Sequence, residues 1–118
     1  MTETAANVLK ARLRADLKPA MIERRKEEAA LLRTLLAAID NAEAPAQTSE
    51  QASAASADFG SGGGEVDRLD LSEADLAAIL WREITDREEN AAEFARRGVS
   101  DREQSLLSEA DLIRRYLP

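Results

Sequence analysis

Two helix beginnings and one helix end are written into the last forty-eight residues, and together they commit this part of the chain to a helical hairpin. Ser72 stands before Glu73, Ala74 and Asp75, so its hydroxyl is placed to accept from first-turn N–H groups that lack an intrahelical partner, while Asp75 reaches back. Glu73 and Asp75 also suit the positive end of a helix dipole. From there Leu76, Ile79, Leu80, Ile84, Ala91, Phe94 and Ala95 recur at a helical period, with charged residues between them. Arg96 and Arg97 fall in the last turn and Gly98 follows, where a left-handed cap costs glycine little. Ser100 and Glu103 then form a second Ser-x-x-Glu box, which predicts a new helix within about two residues. Its apolar face is Leu106, Leu107, Ala110, Ile113 and Leu117, with Tyr116 beside it. So short a connection favours a tight hairpin or corner.

The first half supplies the other layer. Leu9, Leu13, Leu17 and Met21 repeat every four residues, which predicts a helix from about Asn7 to Met21. Pro19 either kinks it or breaks it shortly after Leu17. A second helix, from about Glu23 to Ala44, buries Leu32, Leu35, Leu36 and Ile39 and stops at Pro45. At ~1.5 Å per residue it would be roughly 33 Å long, matching the helix that starts near Glu73, and the match suggests antiparallel packing. Between these halves the chain is small, polar and glycine-rich, with one aromatic residue, Phe59, and too little apolar surface to offset the entropy of ordering. The expected fold class is therefore all-α, a small four-helix bundle with a long disordered insertion between helices 2 and 3. One domain spans 1–118, ordered over about 7–44 and 70–118, with the flexible insertion at 45–67. The string LSEADL occurs at 71–76 and again at 107–112, once opening a helix and once inside one, and is read as coincidence of composition.

Composition decides mainly what chemistry is closed. The chain has neither cysteine nor histidine, so disulfides, thiolate metal sites, the commonest metal ligand and the commonest general base are all missing. No cofactor and no metal is expected. The start of the chain lacks a signal-peptide core, and no stretch reaches the roughly 20 apolar residues a bilayer span needs, which predicts a cytoplasmic protein. Net charge is −7, yet residues 8–35 hold eight basic side chains against four acidic ones. That asymmetry reflects either two oppositely charged helical layers or an anion-binding face on the first two helices.

The order of the pieces resembles the N-terminal helical domain of the GatB/YqeY family. The residues that carry the resemblance are LLRTLLAAIDNAEA at 31–44, then Trp81, Arg82, Glu83, Ile84 and Arg87, the cluster EFARRGVSD at 93–101, Glu109, and the ending Tyr116-Leu117-Pro118. YqeY-like proteins are small helical bacterial proteins whose second subdomain is similar to the tail of the amidotransferase B subunit, which helps hold tRNA during amide formation. This chain stops where relatives usually continue into that subdomain. The resemblance implies a noncatalytic adaptor in translation or tRNA metabolism, with a protein or tRNA partner and no membrane. It also implies an alternative, a component of a glutamine-dependent carbon–nitrogen ligase, which would have to build its site from carboxylates or borrow one from another subunit. A third reading is a homo-oligomeric scaffold.

Five residues are the candidates for partner or RNA binding, and no residue is a catalytic candidate. Arg33 and Asn41 lie two turns apart on the second helix and would hold a phosphate or a partner backbone; otherwise Arg33 pairs with a carboxylate of the third helix and Asn41 helps end its own. Arg82 and Arg87 have Glu83, Asp86 and Glu88 close by, so intrahelical ion pairs compete for them. Trp81 adjoins the apolar stripe and either plugs the bundle edge or marks a protein contact.

Overall fold

A computed structural model describes residues 3–45 and 68–118. Among these residues there are four α-helices and no strand: α1 (Ala5–Ile22), α2 (Lys26–Glu43), α3 (Glu73–Arg96) and α4 (Ser100–Arg114). The fold class is the expected one. The expected insertion at 45–67, with Phe59, lies outside the described residues apart from Pro45.

The helices associate as two hairpins, α1 with α2 and α3 with α4, and α3 packs on both members of the first. The expected match in length falls differently from the sequence reading: α2 has 18 residues and α3 has 24, so it is α1, also with 18, that matches α2 and lies along it. All four helices feed one core. Leu13 enters from α1, Leu32, Leu35 and Ile39 from α2, Leu80 and Ile84 from α3 and Ile113 from α4, all fully buried. Removing each from water is worth about 2 kcal/mol. Not every expected stripe residue is inside: Met21 and Leu107 are exposed, whereas Ala6, Ala20 and Ala29 are buried where helices approach closely.

Capping follows the sequence at α3 and departs from it elsewhere. Ser72 and Asp75 form the reciprocal box, with the Asp75 amide on the Ser72 hydroxyl at 3.0 Å and the Ser72 amide on the Asp75 carboxylate at 2.9 Å. At its other end Gly98 takes φ 75°, its N–H donating to Ala95 and that of Val99 to Phe94, at 3.1 and 2.9 Å. The same closure ends α1 without a glycine. Arg24 takes φ 58°, its N–H donating to Met21 and that of Arg25 to Ala20, which moves the start of α2 from the expected Glu23 to Lys26. Ser100 is not the cap of α4. Val99 already offers its carbonyl to the Glu103 amide at 3.2 Å, so the helix starts one residue earlier and Ser100 lies inside it.

Pro19 neither breaks α1 nor ends it; the helix continues to Ile22, with the Pro19 carbonyl accepting from Glu23 at 2.8 Å. The hydrogen bond lost to the missing N–H is that of the Ala15 carbonyl, on an exposed residue open to solvent. The start of α1, expected near Asn7, is set earlier by Thr4, whose hydroxyl accepts from the Asn7 amide at 3.0 Å.

Lys10 is buried in an otherwise apolar stripe. Its ammonium lies 2.5 Å from the Glu43 carboxylate and 3.3 Å from Asp40, and Arg68 closes on the same two acids at 3.6 and 3.4 Å. The Leu69 amide donates to the Glu43 carbonyl at 2.7 Å, so the end of α2 and the approach to α3 are fastened side by side.

Candidate functional site

The five candidates do not converge on one site. Arg33 and Asn41 share α2, but Arg33 stands near the α1–α2 turn and Asn41 is exposed in the last turn, where its backbone carbonyl accepts from the Ala44 amide at 3.3 Å. Arg33 is exposed and takes part in no ion pair among the described residues, so the expected carboxylate from α3 is not its partner. It lines a cleft of about 430 Å³ with Ala20, Met21, Arg24, Lys26 and Ala29.

Arg87 is held as its neighbours in sequence suggest and more firmly than they suggest. It pairs with Glu83 one turn back at 3.0 Å, and its Nε donates to Glu109 of α4 at 3.0 Å. This arginine fastens the α3–α4 hairpin. Arg82 faces solvent on the opposite side of α3 and has no ion-pair partner among the described residues.

Trp81 is 46% exposed, the largest side chain on the surface of the described residues. The Arg114 guanidinium of α4 lies 6.0 Å from its ring centre. Arg114 is itself fixed by Glu88 at 2.5 Å and by Asp111 at 3.0 Å. These carboxylates, the Glu88 hydrogen bond foremost, raise the guanidinium pKa further above its ordinary value. Leu107 and Asp111 sit two turns and one turn before Arg114 on one stripe of α4, and Leu107 is exposed. The result is a surface with an exposed aromatic ring, an apolar side chain and paired charges. Arg114 was not legible as part of it, because only the antiparallel register of α3 and α4 brings it to Trp81.

A smaller polar cleft, about 200 Å³, gathers Arg12, Asp16, Arg25, Glu28, Arg115 and Tyr116. Its groups are taken up with one another. Tyr116 donates to Asp16, Arg25 to Glu28, and Arg12 donates to the Arg115 carbonyl at 2.8 Å while its guanidinium lies 4.6 Å from the Tyr116 ring centre. Burial, the hydrogen bond to Asp16 and that carboxylate's charge push the Tyr116 phenol well above its ordinary pKa, so it stays a neutral donor at physiological pH. The cleft holds helices together. A groove of about 330 Å³ beside it is lined by Val8, Leu9, Leu76, Leu80 and Tyr116 together with the charged Glu3, Arg12 and Glu73.

Among the described residues no group of three or more acidic side chains is placed to hold a metal ion, and no helix is long and apolar enough to cross a membrane. No protein-family model, curated protein or solved structure matches this chain.

Proposed function

We propose that the chain is a noncatalytic helical adaptor of the YqeY type, working in translation or tRNA metabolism, which holds a protein partner through the Trp81 surface of the α3–α4 hairpin. The observation that supports this is Trp81 itself: half exposed, with the Arg114 guanidinium 6.0 Å from its ring centre and that arginine held by Glu88 and Asp111. A large aromatic side chain gives contact area with few torsions to order on binding, and tryptophan is enriched among the residues that dominate interfaces. The place in translation rests on the resemblance carried by residues 31–44 and 81–101.

The test is affinity capture with the full chain and with Trp81→Ala, the partner being identified by mass spectrometry and its affinity then measured. Trp81→Ala is expected to weaken that partner by about thirty-fold, the effect of losing roughly 2 kcal/mol at an interface centre, and to leave the melting temperature nearly unchanged. Equal recovery and equal affinity would remove Trp81 from the interface. A second copy of the chain is one partner such a surface admits, and sedimentation separates that case: a monomer at micromolar concentration excludes it.

A further inference from the structure

The basic segment at residues 8–35 divides in two once its partners are known. Three of its eight cations are used inside the fold: Lys10 on Asp40 and Glu43, Arg12 on the Tyr116 ring and the Arg115 carbonyl, and Arg25 on Glu23 and Glu28. The other five, Arg14, Lys18, Arg24, Lys26 and Arg33, are exposed and enter no ion pair among the described residues. The acids of the segment are largely taken: Asp16 accepts from Tyr116, and Glu23 and Glu28 hold Arg25, leaving Glu27. Even with Asp16 counted beside Glu27, since a hydrogen bond from a neutral phenol leaves its charge in place, the five unpaired cations outnumber the unpaired acids of the segment among the described residues.

The remaining cations are gathered on one side of the α1–α2 hairpin. Arg14, Lys18 and Met21 are one stripe of α1, four and then three residues apart. Met21 continues that stripe into the 430 Å³ cleft, whose rim is Arg24, Lys26 and Arg33 and whose floor is the buried pair Ala20 and Ala29. Like charges set around a small cleft repel one another, and an anion lying there relieves the repulsion. Guanidinium forks from two helices and the turn between them suit phosphate oxygens, with the lysines adding point charge.

We infer that this face of the α1–α2 hairpin binds the phosphate backbone of duplex RNA without reading its sequence. Neither helix contains an aromatic residue, so there is no platform on which unpaired bases could stack, and the contact is with backbone. Two packed helices present a broad face, which lies across the wide, shallow minor groove of an A-form duplex and reaches the phosphates on either side. Reading B-form DNA takes a single element projecting into the major groove. The face is distinct from the Trp81 surface, so this inference goes beyond the adaptor reading and stands or falls separately.

The experiment uses the full chain and a fluorescently labelled RNA hairpin with a stem of about twenty base pairs, followed by anisotropy. Three or four neutralised phosphates predict binding that is roughly 40- to 150-fold weaker at 200 mM than at 50 mM salt. Arg14→Gln, Lys18→Gln, Lys26→Gln and Arg33→Gln should each lower the slope of log affinity against log salt by up to about one. Arg24→Gly guards against loss of fold, because it removes a cation and also relieves a left-handed arginine: its melting temperature should rise while RNA binding falls. Trp81→Ala should leave RNA binding unchanged, which separates this face from the protein-binding surface. The inference is overturned by absence of binding at 50 mM salt or by unchanged affinity when the five substitutions are combined in a folded chain. It is equally overturned by equal or tighter binding to B-form DNA of the same length, or by tighter binding to vesicles of anionic phospholipid, the outcome that exposed Met21 and Ile22 would favour.

Discussion

Lys10 shows how little a residue's type settles before its neighbours are known. It is 7% exposed, and an ammonium so placed is tolerable only because Glu43, equally buried, meets it at 2.5 Å. Lys10→Met is expected to lower unfolding free energy by about 2–4 kcal/mol, since Glu43 then keeps a buried charge with only the exposed Arg68 to answer it. The double change Lys10→Met with Glu43→Leu should recover stability to within about 1 kcal/mol of the parent. Urea unfolding of the four proteins of this cycle measures the coupling, and purely additive losses would show that the pair is not coupled. A trace of the pair was present in the sequence. Lys10 adjoins Leu9 and Leu13, and Glu43 extends the Leu32, Leu35, Ile39 stripe by one turn. Reading them as partners required knowing that α1 and α2 run antiparallel with those ends level.

Helix ends carry the argument at the scale of elements. Gly98 is needed for its φ of 75° alone, because a Cβ added there meets nothing within 4 Å. Gly98→Ala should therefore cost about 1 kcal/mol, the backbone penalty of a left-handed alanine, with no steric addition. A loss of several kcal/mol in thermal or urea unfolding would point to a packing role the geometry does not show. At the other end of α3, the Ser72 amide first and its hydroxyl second hold the Asp75 carboxyl below its usual range. A lowered carboxylate pKa adds stability that is present above the unfolded value near 4 and is lost as pH falls through the lower folded one. Ser72→Ala should move the Asp75 titration, followed by NMR, part of the way back up and lower the melting temperature. Both ends of α3 were legible because side chain, spacing and glycine agree locally. The start of α2 was not, since Arg24 adopts a conformation that its residue type disfavours.

Over the whole molecule, links between residues far apart in sequence fix the arrangement. The bond from the Leu69 amide to the Glu43 carbonyl brings the two ends of segment 46–67 to one place. Replacing those residues with about six of glycine and serine should therefore raise unfolding free energy by about 1 kcal/mol through a shorter closed loop. A large destabilisation on that replacement would mean the segment contributes contacts of its own. Tyr116 ties the end of the chain to α1 through Asp16, a hundred positions away in sequence. Its raised pKa has a definite sign. The stability that comes with the neutral phenol is fully present below the unfolded value of about 10 and is lost as pH rises above that toward the higher folded pKa. The melting temperature should fall above pH 10, and Tyr116→Phe should flatten that part of the profile.

Local chemistry by itself determined the all-α class, the two capped ends of α3, the tight turn into α4 and most of the buried leucines and isoleucines. Each of these follows from backbone groups and side chains within a few residues of one another. Tertiary structure alone decided which charges remain available for binding. Lys10 and Lys18 are alike in the sequence and share α1, yet Lys10 is bound inside the fold and Lys18 faces outward. The physical reason is that an ion pair depends on where a second helix places its carboxylate. The register between helices is set by the whole core at once and is written at no single position.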